Sequence, residues 1–312
     1  MEVSELEQKI RALINCGRLQ AEVLSNDTSW NMLCSSLDLI GDTGLALDSY
    51  SGMAECRGPG KSYLLVYGVL QTLLLQQDAA KHIAKALNVK FKLPKQLSEI
   101  RIVRNSAAGH PGFQMENKEA RSCFISRSSL TTKEFDLLTF YSGGKEHQKK
   151  HICIPDILIV QAKHMESILT LVLTDLERRE KDHYKMHQNT KLLSNFSGST
   201  SYYFEKIFEA TMSDSKYPLG GSHIELVTNS LSKFKEEMEE RNEWGVNRDI
   251  EYHYSYAEYA SKELVAYFLS KEESRLNDTD AFIFASFLQN CVVALKNHAA
   301  TIDQEYEREG PE

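Results

Sequence analysis

Long apolar runs, paired cysteines and chain-breaking prolines are what this 312-residue sequence has least of. Six prolines impose few obligatory breaks, which favours long helices over many short strands. The longest apolar stretch, Tyr63 to Leu75, is interrupted by Gly68 and Gln71. It falls short of the roughly 20 residues that span a bilayer, so no membrane partner is expected. The cysteines, at positions 16, 34, 56, 123, 153 and 291, include no CxxC pair. Their dispersion argues against a metal finger or disulfide framework and points to reduced thiols. The opening MEVSELEQKI is acidic and amphipathic, unlike a basic-plus-apolar signal sequence, and a cytoplasmic location is the expectation.

Several catalytic patterns are missing as well. Neither a GxSxG elbow nor a Cys/His nucleophile motif is present. Gly58-Pro59-Gly60-Lys61-Ser62 ends like a phosphate-binding loop, but the required first glycine is Glu55 and the preceding segment reads as helix. His183 and His187 have the four-residue spacing that holds zinc on one helix face. They lack a glutamate after the first histidine and an evident third ligand, so no metal and no cofactor are assigned.

What is present is an ordinary folded composition, 42% hydrophobic and 26% charged, with length for about two domains. The formal charge of −8 is unevenly spread. Between Ala80 and His151, 14 Lys/Arg face 6 Asp/Glu, a local +8 that leaves −16 for the rest. A phosphate backbone responds to such local charge, not to the total.

Apolar periodicity predicts helices over 4–24, from the cap-like Asn26-Asp27-Thr28 onward, over 61–87, and from Pro94 to a stop at Gly109-His110-Pro111-Gly112. The 61–87 helix is apolar on most sides and is expected at the centre. Residues 122–130 and 135–141 read as a β-hairpin, followed by a basic loop containing Lys145, His147, Lys149, Lys150 and His151. From Pro155 to about Leu192 a helix is expected with Ile157, Val160, His164, Ile168, Leu171 and Val172 on one side. Small polar residues at 195–199 suggest a linker, dividing 1–194 from a helical domain at 195–312. Tyr252, Tyr254, Tyr256 and Tyr259 in that second domain are expected to pack in its core.

The segment Arg104-Asn105-Ser-Ala-Ala-Gly109-His110 places an arginine six residues before a histidine, with a polar residue directly after the arginine. It resembles the Arg-(polar)-x4-His motif of the HEPN family, helical proteins many of which are metal-independent RNases. The stretch from Tyr67-Gly-Val-Leu-Gln71 to Asp78 is similar to the core helix of bacterial members. The resemblance covers about 60–190. It implies an all-α HEPN-like bundle with a small β-hairpin insertion, RNA as substrate, and a homodimer facing two motifs across one cleft. It also implies a toxin or phage-defence role with a possible inhibitor or regulatory protein.

The residue types fit that chemistry. Cleaving RNA through its own 2′-hydroxyl needs a proton acceptor, a proton donor and stabilisation of a charged phosphorus centre. His110 titrates near neutrality and is the candidate acid/base, Arg104 would hold the phosphate, and Asn105 would orient either. On a straight helix Arg104 and His110 differ by about 240° and do not share a face. The helix must therefore break between them, and Gly109, able to adopt positive φ, is the expected hinge. Gln71 and Asp78 share a face of an apolar helix and either brace Arg104 or tie helices together. Lys145, Lys149 and Lys150 are candidate phosphate contacts. Two competing readings remain. In one, Arg104 pairs with a carboxylate such as Glu99 or Glu116 and His110 caps the helix. In the other, the whole scaffold is a non-catalytic adaptor that binds a protein or nucleotide.

Overall fold

The computed structural model describes residues 2–15, 17–24, 27–54, 58–109, 112–116, 119–142, 146–213, 217–269 and 274–308. Among them the chain is mainly α, with ten α-helices and one small antiparallel sheet. The helices are α1 (Val3–Ile14), α2 (Gly17–Leu24), α3 (Asp27–Ser51), α4 (Pro59–Ala86), α5 (Lys95–Arg104), α6 (Ile154–His187), α7 (Thr200–Thr211), α8 (Tyr217–Glu240), α9 (Arg248–Leu269) and α10 (Asp278–Arg308). Their contacts divide the chain into two units, Met1–Asn15 with Val23–Glu177, and Cys16–Glu22 with Arg178–Glu312.

The first unit is organised on α4. Pro59 stands in its first turn, where a missing N–H costs nothing, and Gly58 before it takes a φ of 110°. Val66, Val69, Leu70, Leu73, Ala80 and Ile83 bury one broad stripe of α4. Leu33, Leu37 and Ile40 of α3 and Leu97, Ile100 and Val103 of α5 belong to the same core. The 4–24 stretch expected as one helix is two, with Asn15 capping α1. On α6 the buried side runs through Gln161, Met165, Ile168, Leu169, Val172 and Leu176. Leu171, expected on that side, is exposed. One window within 154–211 is long and apolar enough to cross a membrane by length and composition, and 33% of it is buried inside the protein. A core helix passes the same test.

The expected hairpin is the middle of a four-stranded meander, ordered β1 (Gly112–Glu116), β2 (Glu119–Ile125), β3 (Glu134–Tyr141) and β4 (Gln148–Cys153). Cys123 lies opposite Thr139, Ile125 opposite Leu137 and Phe135 opposite Ile152. Cys123, Ile125, Phe135, Leu137 and Ile152 are all buried on that face. Strand β4 is the segment read as a basic loop. Its Gln-Lys-Lys-His run lacks apolar alternation, so only pairing with β3 makes it a strand, and lysines on an edge also deter further pairing.

The second unit packs α7 to α10 around Phe204, Ile207, Ile224, Phe234, Leu264 and Leu288. Residues 195–199, read as a linker, carry Phe196 into this core, its ring 5.2 Å from that of Phe234. Of the four expected core tyrosines only Tyr254 is buried, while Tyr252, Tyr256 and Tyr259 are exposed.

Leu70 is fully buried on the central helix, so Leu70→Ala should cost about 2–5 kcal/mol of first-unit stability. Urea denaturation followed by Trp30 fluorescence, with Trp244 replaced by Phe, measures it. A loss below about 1 kcal/mol would contradict the central placement of α4.

Candidate functional site

A chain of amides and guanidiniums crosses α4, α5 and α6 in the first unit. Gln161, 1% exposed, donates its Nε2 hydrogens to the Leu73 carbonyl at 3.1 Å and to Gln76 Oε1 at 3.0 Å. Its Oε1 accepts from Gln77 Nε2 at 2.8 Å. Gln77 Oε1 in turn accepts from Arg101 Nε at 2.8 Å, and Arg101 also pairs with Asp78. The Gln77 and Gln161 amides are thus partnered at both oxygen and nitrogen, as burial requires.

Arg104 lies three residues beyond Arg101, on the same side of α5. Gln71 Oε1 accepts from Arg104 Nε at 3.1 Å and from its NH2 group at 2.5 Å. The NH1 group donates to Asn105 Oδ1 at 3.0 Å. These bonds use three of the guanidinium's five N–H donors. All these acceptors are neutral amides, so the cation is held in place with no compensating charge among the described residues. Glu99 does not hold Arg104, nor does any other carboxylate among the residues whose side chains are described; the side chain of Glu116, the other expected partner, lies outside them.

Beyond Arg104 the helix widens instead of breaking. Asn105–Gly109 form a π turn, a geometry that recurs at functional sites. Gly109 does not take the expected positive φ; Gly112, at 89°, does. The requirement at Gly109 is one of space. A Cβ there would stand 2.3 Å from Arg104 NH1 and 3.0 Å from its Cζ, so the guanidinium lies directly over the glycine. His110, the candidate acid/base, lies outside the described residues, as does Lys145.

Gln71 therefore meets Arg104 as a bracing residue, whereas Asp78 meets Arg101 and ties α4 to α5. Arg101, Gln77 and Gln161 escaped sequence reasoning. Arg101 was legible in principle, because it precedes Arg104 by one turn and faces the same helix surface. Gln161 sits within an apolar helix and had no comparable signal.

The two described lysines diverge. Alternation along β4 puts Lys149 and Lys150 on opposite faces of the sheet. Lys149 Nζ pairs with Asp136 at 2.8 Å, and His151 Nδ1 stands 3.1 Å from the same carboxylate. Lys149 first and His151 second hold the Asp136 carboxyl below its usual range.

His183, in the second unit, is committed to protein groups at both nitrogens. Its Nε2 lies 2.9 Å from the Arg241 carbonyl oxygen, which only accepts, so that nitrogen carries a proton. Its Nδ1 lies 3.1 Å from the Tyr306 hydroxyl, whose single proton is shared between that nitrogen and Glu243 Oε1, 2.7 Å away. Burial lowers the His183 imidazole to about 4; the Arg241 backbone bond opposes this, and the charges of Arg18, His187 and Arg241 add to it. Burial also pushes the Glu243 carboxyl up. Compared with known proteins, the chain matches no family model, no curated protein and no solved structure.

Two predictions follow from these contacts. Gly109→Ala should displace the Arg104 guanidinium and cost about 1–3 kcal/mol, read by urea denaturation and by the Arg104 side-chain NMR signal. An unchanged signal would show that the guanidinium does not rest on Gly109. The second concerns acid. A histidine depressed from about 6.5 to about 4 takes up its proton more readily in the unfolded chain, so its contribution is complete above pH 6.5 and falls as pH drops toward 4. Glu243, shifted upward, acts in the opposite direction. With Trp30 replaced by Phe so that Trp244 reports on the second unit, His183→Gln should lose less stability than wild type between pH 7 and about 4.5. Equal losses would refute the assignment.

Proposed function

We propose that this chain is a metal-independent endoribonuclease of toxin or phage-defence type, which cleaves RNA by transesterification. The observation that carries the reading is the Arg104 guanidinium, fixed by Gln71 and Asn105 over Gly109 with no carboxylate among the described residues to cancel its charge. A preorganised cation of this kind suits a phosphoryl oxygen, whose negative charge grows in the transition state.

In this reading the RNA 2′-oxygen attacks the adjacent phosphorus, the O2′–P bond forms and the P–O5′ bond breaks. The products are a 2′,3′-cyclic phosphate and a 5′-hydroxyl. His110 accepts the 2′-hydroxyl proton, Arg104 holds a non-bridging oxygen, and the leaving 5′-oxygen takes a proton from a second imidazole. One histidine per motif is too few for both transfers, which is why the active species is proposed as a homodimer with two motifs facing one cleft. Asn105 positions Arg104, and Gln71 supports it from α4. Asp78 supports it through Arg101. Lys145 and Lys150 are proposed as phosphate contacts in the RNA path, with Lys149 contributing once released from Asp136. A cytoplasmic location and control by an inhibitor or regulatory protein accompany this proposal.

The exposed Tyr252, Tyr256 and Tyr259 are not assigned to RNA. Asp249, Glu251, Glu258 and Glu263 share their helix with only Arg248 and Lys262, a balance that repels phosphate.

Incubation of the purified protein with structured and single-stranded RNA in EDTA tests the reaction. Wild type should yield cyclic-phosphate ends. His110→Ala and Arg104→Ala should each lower the rate by about 100-fold or more while melting near wild type, and Gln71→Ala should lower it about tenfold. Equal cleavage by wild type and His110→Ala would discard the proposal.

A further inference from the structure

A groove of about 1110 Å³ opens on the first unit, between α1, α3 and α6, on residues that the proposed reaction does not use. Its wall along α3 runs from Leu37 to Ser51, about 21 Å of helix axis or four turns. Two features of α3 make it a groove. Gly41 and Gly44 line it, and a Cβ on either would meet nothing within 4 Å. Leu45, 70% exposed, stands beside them with no apolar cover.

The lining is strongly acidic. Glu2, Glu5, Asp42 and Asp48 line it with no cationic partner among the described residues, all of them exposed. Arg11, which also lines it, is already committed to Glu7 at 2.7 Å and Asp38 at 3.0 Å. Lys163 is the other cation in the lining. At the base lie two buried amides, Gln76 and Gln161. Gln76 accepts from Gln161 through Oε1, and among the described residues no acceptor meets its Nε2, although the residue is only 3% exposed. With no protein acceptor, that Nε2 is left to the solvent of the groove, where a ligand can meet it.

We propose that this groove is a docking site for a cationic amphipathic helix of about four turns, supplied by a partner protein. The match is one of length, shape and sign. A helix lies along the α3 wall where Gly41 and Gly44 leave room. Its apolar side meets Leu45, Leu47 and Leu158, and its lysines or arginines meet the uncompensated carboxylates. The base of the groove is also the far end of the hydrogen-bonded amides that lead through Gln77 to Arg101. Binding is independent of whether the chain cleaves RNA, so this proposal stands or falls without that reading.

The test uses the full-length protein and a labelled, amidated Leu/Lys peptide of about four turns, with leucines at i, i+3, i+4 and i+7. A scrambled peptide of the same composition and spermine serve as controls. Saturable binding of the amphipathic peptide is expected, at least tenfold tighter than of the scrambled one, with a shift of the Gln76 side-chain amide NMR signal at saturation. Gly44→Arg should weaken binding at least tenfold by filling the groove with bulk and positive charge. Gly44→Ala should leave it unchanged, and both variants should melt no lower than wild type, because both residues favour a helix over glycine. Equal binding of the scrambled peptide or spermine would show simple charge attraction and overturn the proposal. Undiminished binding by Gly44→Arg, or an unmoved Gln76 signal, would overturn it as well.

Discussion

A guanidinium never gives up its charge, so an arginine drawn between packed helices must be met by acceptors, and the first unit is arranged to supply them. Arg101 and Arg104 leave α5 one turn apart toward α4. Arg101 meets Gln77 and Asp78, and Arg104 meets Gln71 and Asn105. The difference between the two sets matters. An aspartate cancels the charge of Arg101, which thereby ties two helices together. Among the described residues only neutral amides hold Arg104, which fixes its position without cancelling its charge.

That arrangement relies on backbone geometry as much as on side chains. The π turn at Asn105–Gly109 widens the end of α5, and the glycine that ends it leaves the space the guanidinium occupies. Any larger residue at 109 would compete with Arg104 for the same volume. The glycine is thus explained by close packing, not by a left-handed conformation, and the local sequence alone does not separate these causes.

Elsewhere the polar groups serve different ends. The Asp136 carboxylate gathers Lys149 and His151 across β3 and β4, which spends a lysine on the sheet. In the second unit His183, Tyr306 and Glu243 share hydrogen bonds in a site where burial disfavours charge on both the imidazole and the carboxyl. The groove along α3 is the contrary case, with Glu2, Glu5, Asp42 and Asp48 left in solvent and no cation among the described residues brought to them.

The sequence by itself determined the helices, because apolar spacing is a local property. It located the start of α3 and both ends of α4 to within a few residues, and carried α6 past its end at His187. It also singled out Gln71 as a polar interruption of α4. What it left open depended on partners distant along the chain. Strand β4 has no alternation of its own and exists through β3. Asp78 could brace Arg104 or tie helices together, and the fold pairs it with Arg101. Tyr252, Tyr256 and Tyr259 looked like core, yet the face of α9 that packs is set by Ile250, Tyr254, Ala257 and Leu264. Spacing states which residues share a face, but only packing decides which face is covered.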